Sequence, residues 1–265
     1  MSRHTHSLTA RPPEAPEGLW SERAMHPSLA QLRDEIDRID LELMERFERR
    51  LAVAARIGAA KDAVTNAGPH IRPDREQAIL DRLTRLGLEE NRSAICAIWR
   101  EIMGWSTARQ GRLQVRVWSP GDASRTLDAA RRRFGAAADI QLVQSADEAL
   151  DHAMNRCGVS VLRVNSDAWW VGLRRQWSEL SVFDGLGPVG GAPTALAVGR
   201  IDPTALPAGR RVVVSAGGDA GDGGGSRRWG ITSHHGWTLA LTDASGAGEI
   251  EGWVGSIASD QDDVA

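Results

Sequence analysis

The 265 residues carry 32 Lys and Arg against 35 Asp and Glu, a formal net charge of −3, which leaves no electrostatic footprint for nucleic acid or an anionic membrane. The length is enough to bury a sizeable core and predicts two units. Cys96 and Cys157 lack metal-ligand spacing and sit in apolar, helix-like surroundings, which predicts reduced core residues of a cytoplasmic protein; no run approaches the ~20 apolar residues of a membrane span. Ten tryptophans and no tyrosine are an unusual balance, from which no function follows.

In chain order, residues 1–27 hold Arg11-Pro12-Pro13 and Pro16 but no apolar signal-peptide core, which predicts a mobile tail. Pro27-Ser28 then supply a helix start, and the spacing of Leu29, Leu32, Ile36, Ile39 and Leu43 predicts a long buried helix to about Asp62 or Ala63. The next member of the seven-residue series Ile36, Leu43 is Arg50, followed by Ile57. A guanidinium on the line of a core is costly unless an anion meets it. An ion pair with a neighbouring helix would account for one such arginine. Lys61, however, lies eleven residues on and on nearly the same face, roughly 16 Å along the axis, so the two long side chains can bracket a small dianion. Arg33 is a third cation beside the stripe, seventeen residues before Arg50, or about 25 Å. That is too far for both to grip one small molecule from the same helix, so a shared ligand requires two copies of it, in an intertwined dimer.

Asn66-Ala67-Gly68-Pro69 breaks the helix. Pro73 opens a second one, with Asp74 and Glu76 favourably placed for its dipole, Ile79, Leu83 and Leu86 as its expected buried face, and Gly87 as its close. A third helix begins near Ser93 and is expected to turn Ile95, Ile98, Trp99, Ile102 and Met103 inward, with Ser106 and Gln110 one and two turns further on. Taken alone, Ser106 and Gln110 read as a fraying helix end, and Arg75 and Glu76 as a solvated helix start.

Leu32-Arg33-Asp34-Glu35-Ile36, Asp40, Arg49-Arg50-Leu51-Ala52, Ile57-Gly58 and Lys61, then Pro73-Asp74-Arg75-Glu76 and Ile102 to Gln110, together resemble the all-helical chorismate mutases. The resemblance implies a three-helix fold in an intertwined dimer, and the rearrangement of chorismate to prephenate without cofactor or metal. It implies catalytic roles for Arg33 (from the partner), Arg50, Lys61 and Gln110. Arg33 and Arg50 would hold the two carboxylates, and Lys61 and Gln110 would donate to the breaking ether oxygen. Ser106 would support a carboxylate, Arg75 would add positive charge, and Glu76 would accept the ring hydroxyl. Arg72 stands where the family usually carries an aspartate; an extra cation there would strengthen dianion binding or alter which hydroxyl position is favoured.

From Leu113 the periodicity changes. Strands are expected over 114–118, 140–143 and 159–164, and helices over 124–134 and 146–156, an alternating α/β unit with a mostly parallel sheet. Pro120-Gly121, Ser124, Ala129-Ala130, Phe134-Gly135, Ser145, Glu148-Ala149-Leu150 and Val161 resemble the opening lobe of prephenate dehydratase, and Pro193 to Arg200 resembles its return strand. The Thr-Arg-Phe signature of that family is not intact, and too few residues remain for its second lobe. Ala216 to Ser226 is rich in Gly and Asp and reads as a flexible loop without the Lys-Ser/Thr of a phosphate site. His234-His235 reads as surface, since adjacent side chains are expected to point apart and no carboxylate is suitably spaced.

The expected organisation is a tail over 1–27, a helical mutase domain over 28–111, a degenerate dehydratase-like region over 113–256 and an acidic tail over 257–265. The leading function is chorismate mutase in aromatic amino acid biosynthesis. The same pocket also suits an isochorismate-pyruvate lyase, and a non-catalytic regulator that binds chorismate-like dianions is the alternative from another class.

Overall fold

The computed structural model describes residues 27–62, 70–111, 113–155, 157–164, 167–188, 191–217, 227–243 and 252–258. The expected 1–27 tail (all but Pro27), the break at Asn66 to Pro69, most of the Gly/Asp-rich loop and the end beyond Ala258 lie outside them. An all-helical region is followed by a strand-rich α/β region. The chain divides into two compact units, one ending at Phe47 and the other beginning at Glu48, so the division falls inside the first helix.

That helix, α1, runs Leu29–Asp62. Ser28 and Gln31 cap its start reciprocally: the Ser28 N–H donates to Gln31 Oε1 at 2.8 Å and the Gln31 N–H to Ser28 Oγ at 3.2 Å, which satisfies a donor that a helix start otherwise leaves open. The expected burial of its stripe is not observed in one copy of the chain. Leu29, Leu32, Ile36, Ile39 and Leu43 are all exposed, Leu43 at 61%. The periodicity identified an apolar face but not what covers it.

The second helix, α2, spans Pro73–Leu86 with Pro73 in its first turn, and the third, α3, spans Arg92–Gln110. The buried face of α2 is Pro73, Leu80 and Thr84 rather than Ile79, Leu83 and Leu86, and Leu86 is exposed. Thr84 is buried at low cost because its hydroxyl donates to the Leu80 carbonyl at 2.9 Å. On α3, Met103, Ser106 and Thr107 are buried, whereas Ile98, expected inward, is exposed. Gly87 closes α2 in an extended conformation, its N–H bonded to the Leu83 carbonyl.

The α/β region begins with β1 (Gln114–Trp118), α4 (Ser124–Phe134), β2 (Asp139–Leu142), α5 (Ala146–Ala153) and β3 (Gly158–Arg163). Then come β4 (Ser181–Leu186), β5 (Ala195–Gly199), β6 (Gly209–Ala216), β7 (Arg228–His234), β8 (Trp237–Thr242) and β9 (Trp253–Ala258). They form one sheet in the order β2-β1-β3-β5-β4-β9-β6-β8-β7. The parallel arrangement expected from the alternating pattern holds for β2-β1-β3. Beyond β3 the pairing is antiparallel except for the short β4–β9 contact. Cys157 lies in the turn before β3 rather than on a helix, and both cysteines are free and half-buried.

Each face of the sheet carries its own core. One holds Trp118, Trp169, Trp170 and Trp177 with Leu150 of α5 and Leu162, and Trp229 and Trp237 pack against it, so at least six of the ten tryptophans serve packing. The other holds Val115, Val117, Val159, Val161, Phe183 and Leu186 beneath Ala130 and Phe134 of α4, and Ile71, just before α2, inserts into it. Alternate residues of β3 and β5 serve opposite faces, as a pleated strand requires. Ile71 thus joins the approach to α2 to the α/β core.

Candidate functional site

Arg50, in the part of α1 that belongs to the second unit, points at α3. Its Nη1 donates to the Ile102 carbonyl at 3.2 Å and to Ser106 Oγ, while the Ser106 hydroxyl donates to the same carbonyl at 2.7 Å. One α3 turn on, the Gln110 amide nitrogen donates to the Ser106 carbonyl, and Lys61 Nζ donates to Gln110 Oε1, both at 3.2 Å. The result is a continuous polar ladder, Arg50–Ser106–Gln110–Lys61, between two helices. Gly58 makes it possible. A Cβ there would lie 2.7 Å from the Gln110 Cα, so only glycine lets α1 approach α3 this closely.

The ladder is electropositive. Burial first, and then the charge of Arg75, push the Arg50 guanidinium below its ordinary value. Lys61 is lowered by burial, then by Arg72 and Arg75. Arg75 thus acts on both cations of the ladder, and Arg72 on Lys61. Among the described residues no carboxylate lies within ion-pair reach of Arg50 or Lys61. Charged forms disfavoured by burial and by like charges would gain from a bound anion. Arg50 and Lys61 also keep N–H donors beyond those the ladder uses.

The other expected residues fall in different places. Arg33 is exposed on α1 in the first unit. Arg72 is held by Asp74, 2.6 Å from its Nη2, which raises the arginine and lowers the carboxyl; its position at the cap of α2 therefore has a fixed partner. Arg75 is exposed. Glu76 is not paired with the ladder's cations. Its Oε2 lies 2.7 Å from Nη2 of Arg133 at the end of α4, and Arg133 in turn pairs with Asp184 of β4. Arg133 and Asp184 were not singled out from sequence. The available signal was that Arg133 lies three residues after the buried Ala130, at the edge of the inward face of α4.

His234 and His235 do not point apart; their ring centroids are 4.0 Å apart. His235 and Gly236, at φ 46° and 76°, form the two-residue turn between β7 and β8, and the two rings meet at an interplanar angle of 59°. Among the described residues no group of three or more His, Cys, Asp or Glu is placed to hold a metal, and no helix is long and apolar enough to cross a membrane.

Residues 32–111 match the profile of the chorismate mutase type II family, so the helical segment carries that family's domain. The chain is also 34% identical over 112 residues to a bifunctional chorismate mutase/prephenate dehydratase of Aquifex aeolicus (strain VF5). That match covers 40% of this chain and 30% of the relative, less than a third of the relative's length. No solved structure matches the chain.

Proposed function

We propose that the chain is a chorismate mutase acting in aromatic amino acid biosynthesis, converting chorismate to prephenate at the ladder between α1 and α3. The observation that carries this is the convergence of Arg50, Lys61, Arg72 and Arg75 with no carboxylate on the first two, since chorismate is a dianion. The rearrangement is intramolecular and needs neither a nucleophile nor an obligatory proton transfer, so positioning and charge stabilisation are the whole task. Arg50, steadied by Ser106 and the Ile102 carbonyl, grips one carboxylate. Lys61 and Gln110, already hydrogen-bonded to each other, turn N–H donors toward the ether oxygen, where charge develops as the bond breaks. Glu76 accepts the ring hydroxyl.

The second carboxylate falls to Arg33 of another copy. The exposed apolar stripe of α1 supports this: five large side chains at helical spacing face outward beside Arg33, and pairing two such stripes antiparallel makes a homodimer seam. The α/β region takes no chemical part of its own in this reading, because the Thr-Arg-Phe signature is not intact.

The test is to mix purified protein with chorismate and, separately, with isochorismate, and to identify the products. Prephenate from chorismate, with no phenylpyruvate before acid treatment, is expected. Arg50→Ala should raise the barrier by about 2.7–4 kcal/mol, as loss of one preorganised donor does. Salicylate and pyruvate from isochorismate, with chorismate untouched, would transfer the site to the lyase reaction.

A further inference from the structure

The carboxylate expected to read the substrate's hydroxyl is held by a residue of the α/β region. Arg133 is largely buried, at 12% exposure, between Glu76 of α2, at 16%, and Asp184 of β4, at 24%, and its guanidinium lies over the Phe183 ring, 5.9 Å from the centroid. Two carboxylates share this one cation. The contact with Asp184 is a hydrogen bond from Arg133 Nε. The contact with Glu76 is an ion pair, with Oε2 buried 2.7 Å from Nη2. Arg133 therefore fixes by charge where the Glu76 carboxylate sits.

Arg133 is itself firmly placed. Gly104 of α3 lets the end of α4 come so close that a Cβ would collide with the Phe134 carbonyl, and the Glu101 carboxylate accepts the Ala136 N–H at 3.0 and 3.1 Å. A register shift in β4 between Val182 and Asp184 sets the other side. Val182 packs in the tryptophan-rich core, and Phe183 and Leu186 pack in the core beneath α4. Strict alternation would put Asp184 on the side of Val182; the bulge re-aims it to the side of Phe183, where Arg133 is.

We infer that Arg133 is a positioning residue of the mutase site, anchored by Asp184, so that the α/β region sets the carboxylate that recognises the hydroxyl of the cyclic dicarboxylate substrate. This rests on the reading of Glu76 as the hydroxyl acceptor. The experiment is a double-mutant cycle in the full chain, with chorismate turnover and thermal melting measured for wild type, Arg133→Met, Arg133→Lys, Glu76→Gln and Arg133→Met with Glu76→Gln.

In variants that melt cooperatively, Arg133→Met should lower kcat/KM by about 10- to 100-fold, the scale of a misplaced contact. Arg133→Lys, which keeps the charge but cannot bridge both carboxylates, should recover part of the loss. Once Glu76 is Gln, Arg133→Met should cost nothing further, because its effect passes through that carboxylate. Full activity in Arg133→Met, or a loss that simply multiplies with that of Glu76→Gln, overturns the inference while the mutase reading stands. Should Arg133→Met fail to fold, the cycle with Arg133→Lys decides by the same criterion: a loss that vanishes in the Gln background supports the role, and a multiplying loss refutes it. Glu76→Gln with wild-type turnover removes the assignment of Glu76 and the inference together, and wild type without turnover on chorismate removes the proposed function as well.

Discussion

At Lys61 the proposed site differs from an ion pair. Its ammonium is half-buried beside a neutral amide, with Arg72 and Arg75 near enough to disfavour its charge. Burial first, and then the neighbouring cations, make the protonated amine easier to deprotonate, so Lys61 loses its proton at lower pH than an ordinary lysine. If the charged form is the one that works, kcat/KM should fall on the alkaline side earlier than an unperturbed lysine would allow. Removing a neighbouring cation should lessen the effect. Arg72→Gln is expected to move that alkaline limb to higher pH, and a pH–rate profile that stays put or moves down would exclude Lys61 as the titrating group. Helical spacing was enough to mark Arg50 and Lys61 as neighbours on one face, because both belong to one regular element. The partners of Glu76 were not legible, because Arg133 and Asp184 lie 51 residues apart and meet only through a tertiary arrangement with a strand irregularity in it.

Among the elements, one tight tolerance is between α1 and α3. With Gly58 so near the Gln110 backbone, Gly58→Ala must push the helices apart or tilt one of them. Overpacking of this kind costs about 1–3 kcal/mol of stability, but the larger effect should be on activity, since the shift falls directly on the Lys61–Gln110 bond. A drop in kcat/KM on the order of 100-fold, with a melting temperature lowered by only a few degrees, is the expected outcome; unchanged activity would show that the approach is not what sets the ladder. The extents of the three helices were readable from caps, breakers and period, as were β1, α4 and β3. The buried face of α2 was not. Ile79, Leu80, Leu83 and Leu86 offer overlapping apolar stripes on a 14-residue helix, and the choice of Leu80 with Thr84 is made by packing and by the local hydroxyl–carbonyl bond. The antiparallel strands β6 to β9 lacked the alternating strand–helix rhythm that marked the first half of the sheet.

For the whole molecule, the question is what meets the outward stripe of α1. Arg33 and Arg50 stand seventeen residues apart on it, and the dimer proposal assigns them to one ligand from two chains. Arg33→Ala and Arg50→Ala should each be nearly inactive as homodimers. In a mixed dimer one site collects both lesions and the other neither. Unfolding and refolding an equimolar mixture should therefore restore up to about a quarter of wild-type activity, because half of randomly paired dimers are mixed and half of their sites intact. A refolded mixture as inactive as its parents, under conditions where wild type recovers, would refute the shared site.

The bulge in β4 also has a consequence in time. A ribosome delivers α1, α2 and α3 before it delivers Arg133 at the end of α4, and it delivers Asp184 about fifty residues later still. Non-local contacts of that separation form only after the intervening chain has been ordered. The helices that carry the cations are thus the earliest part of the chain to exist, yet the carboxylate of Glu76 is last to be clamped. During synthesis the helices that carry the positive charges are therefore complete well before the strand that anchors Arg133 against Glu76.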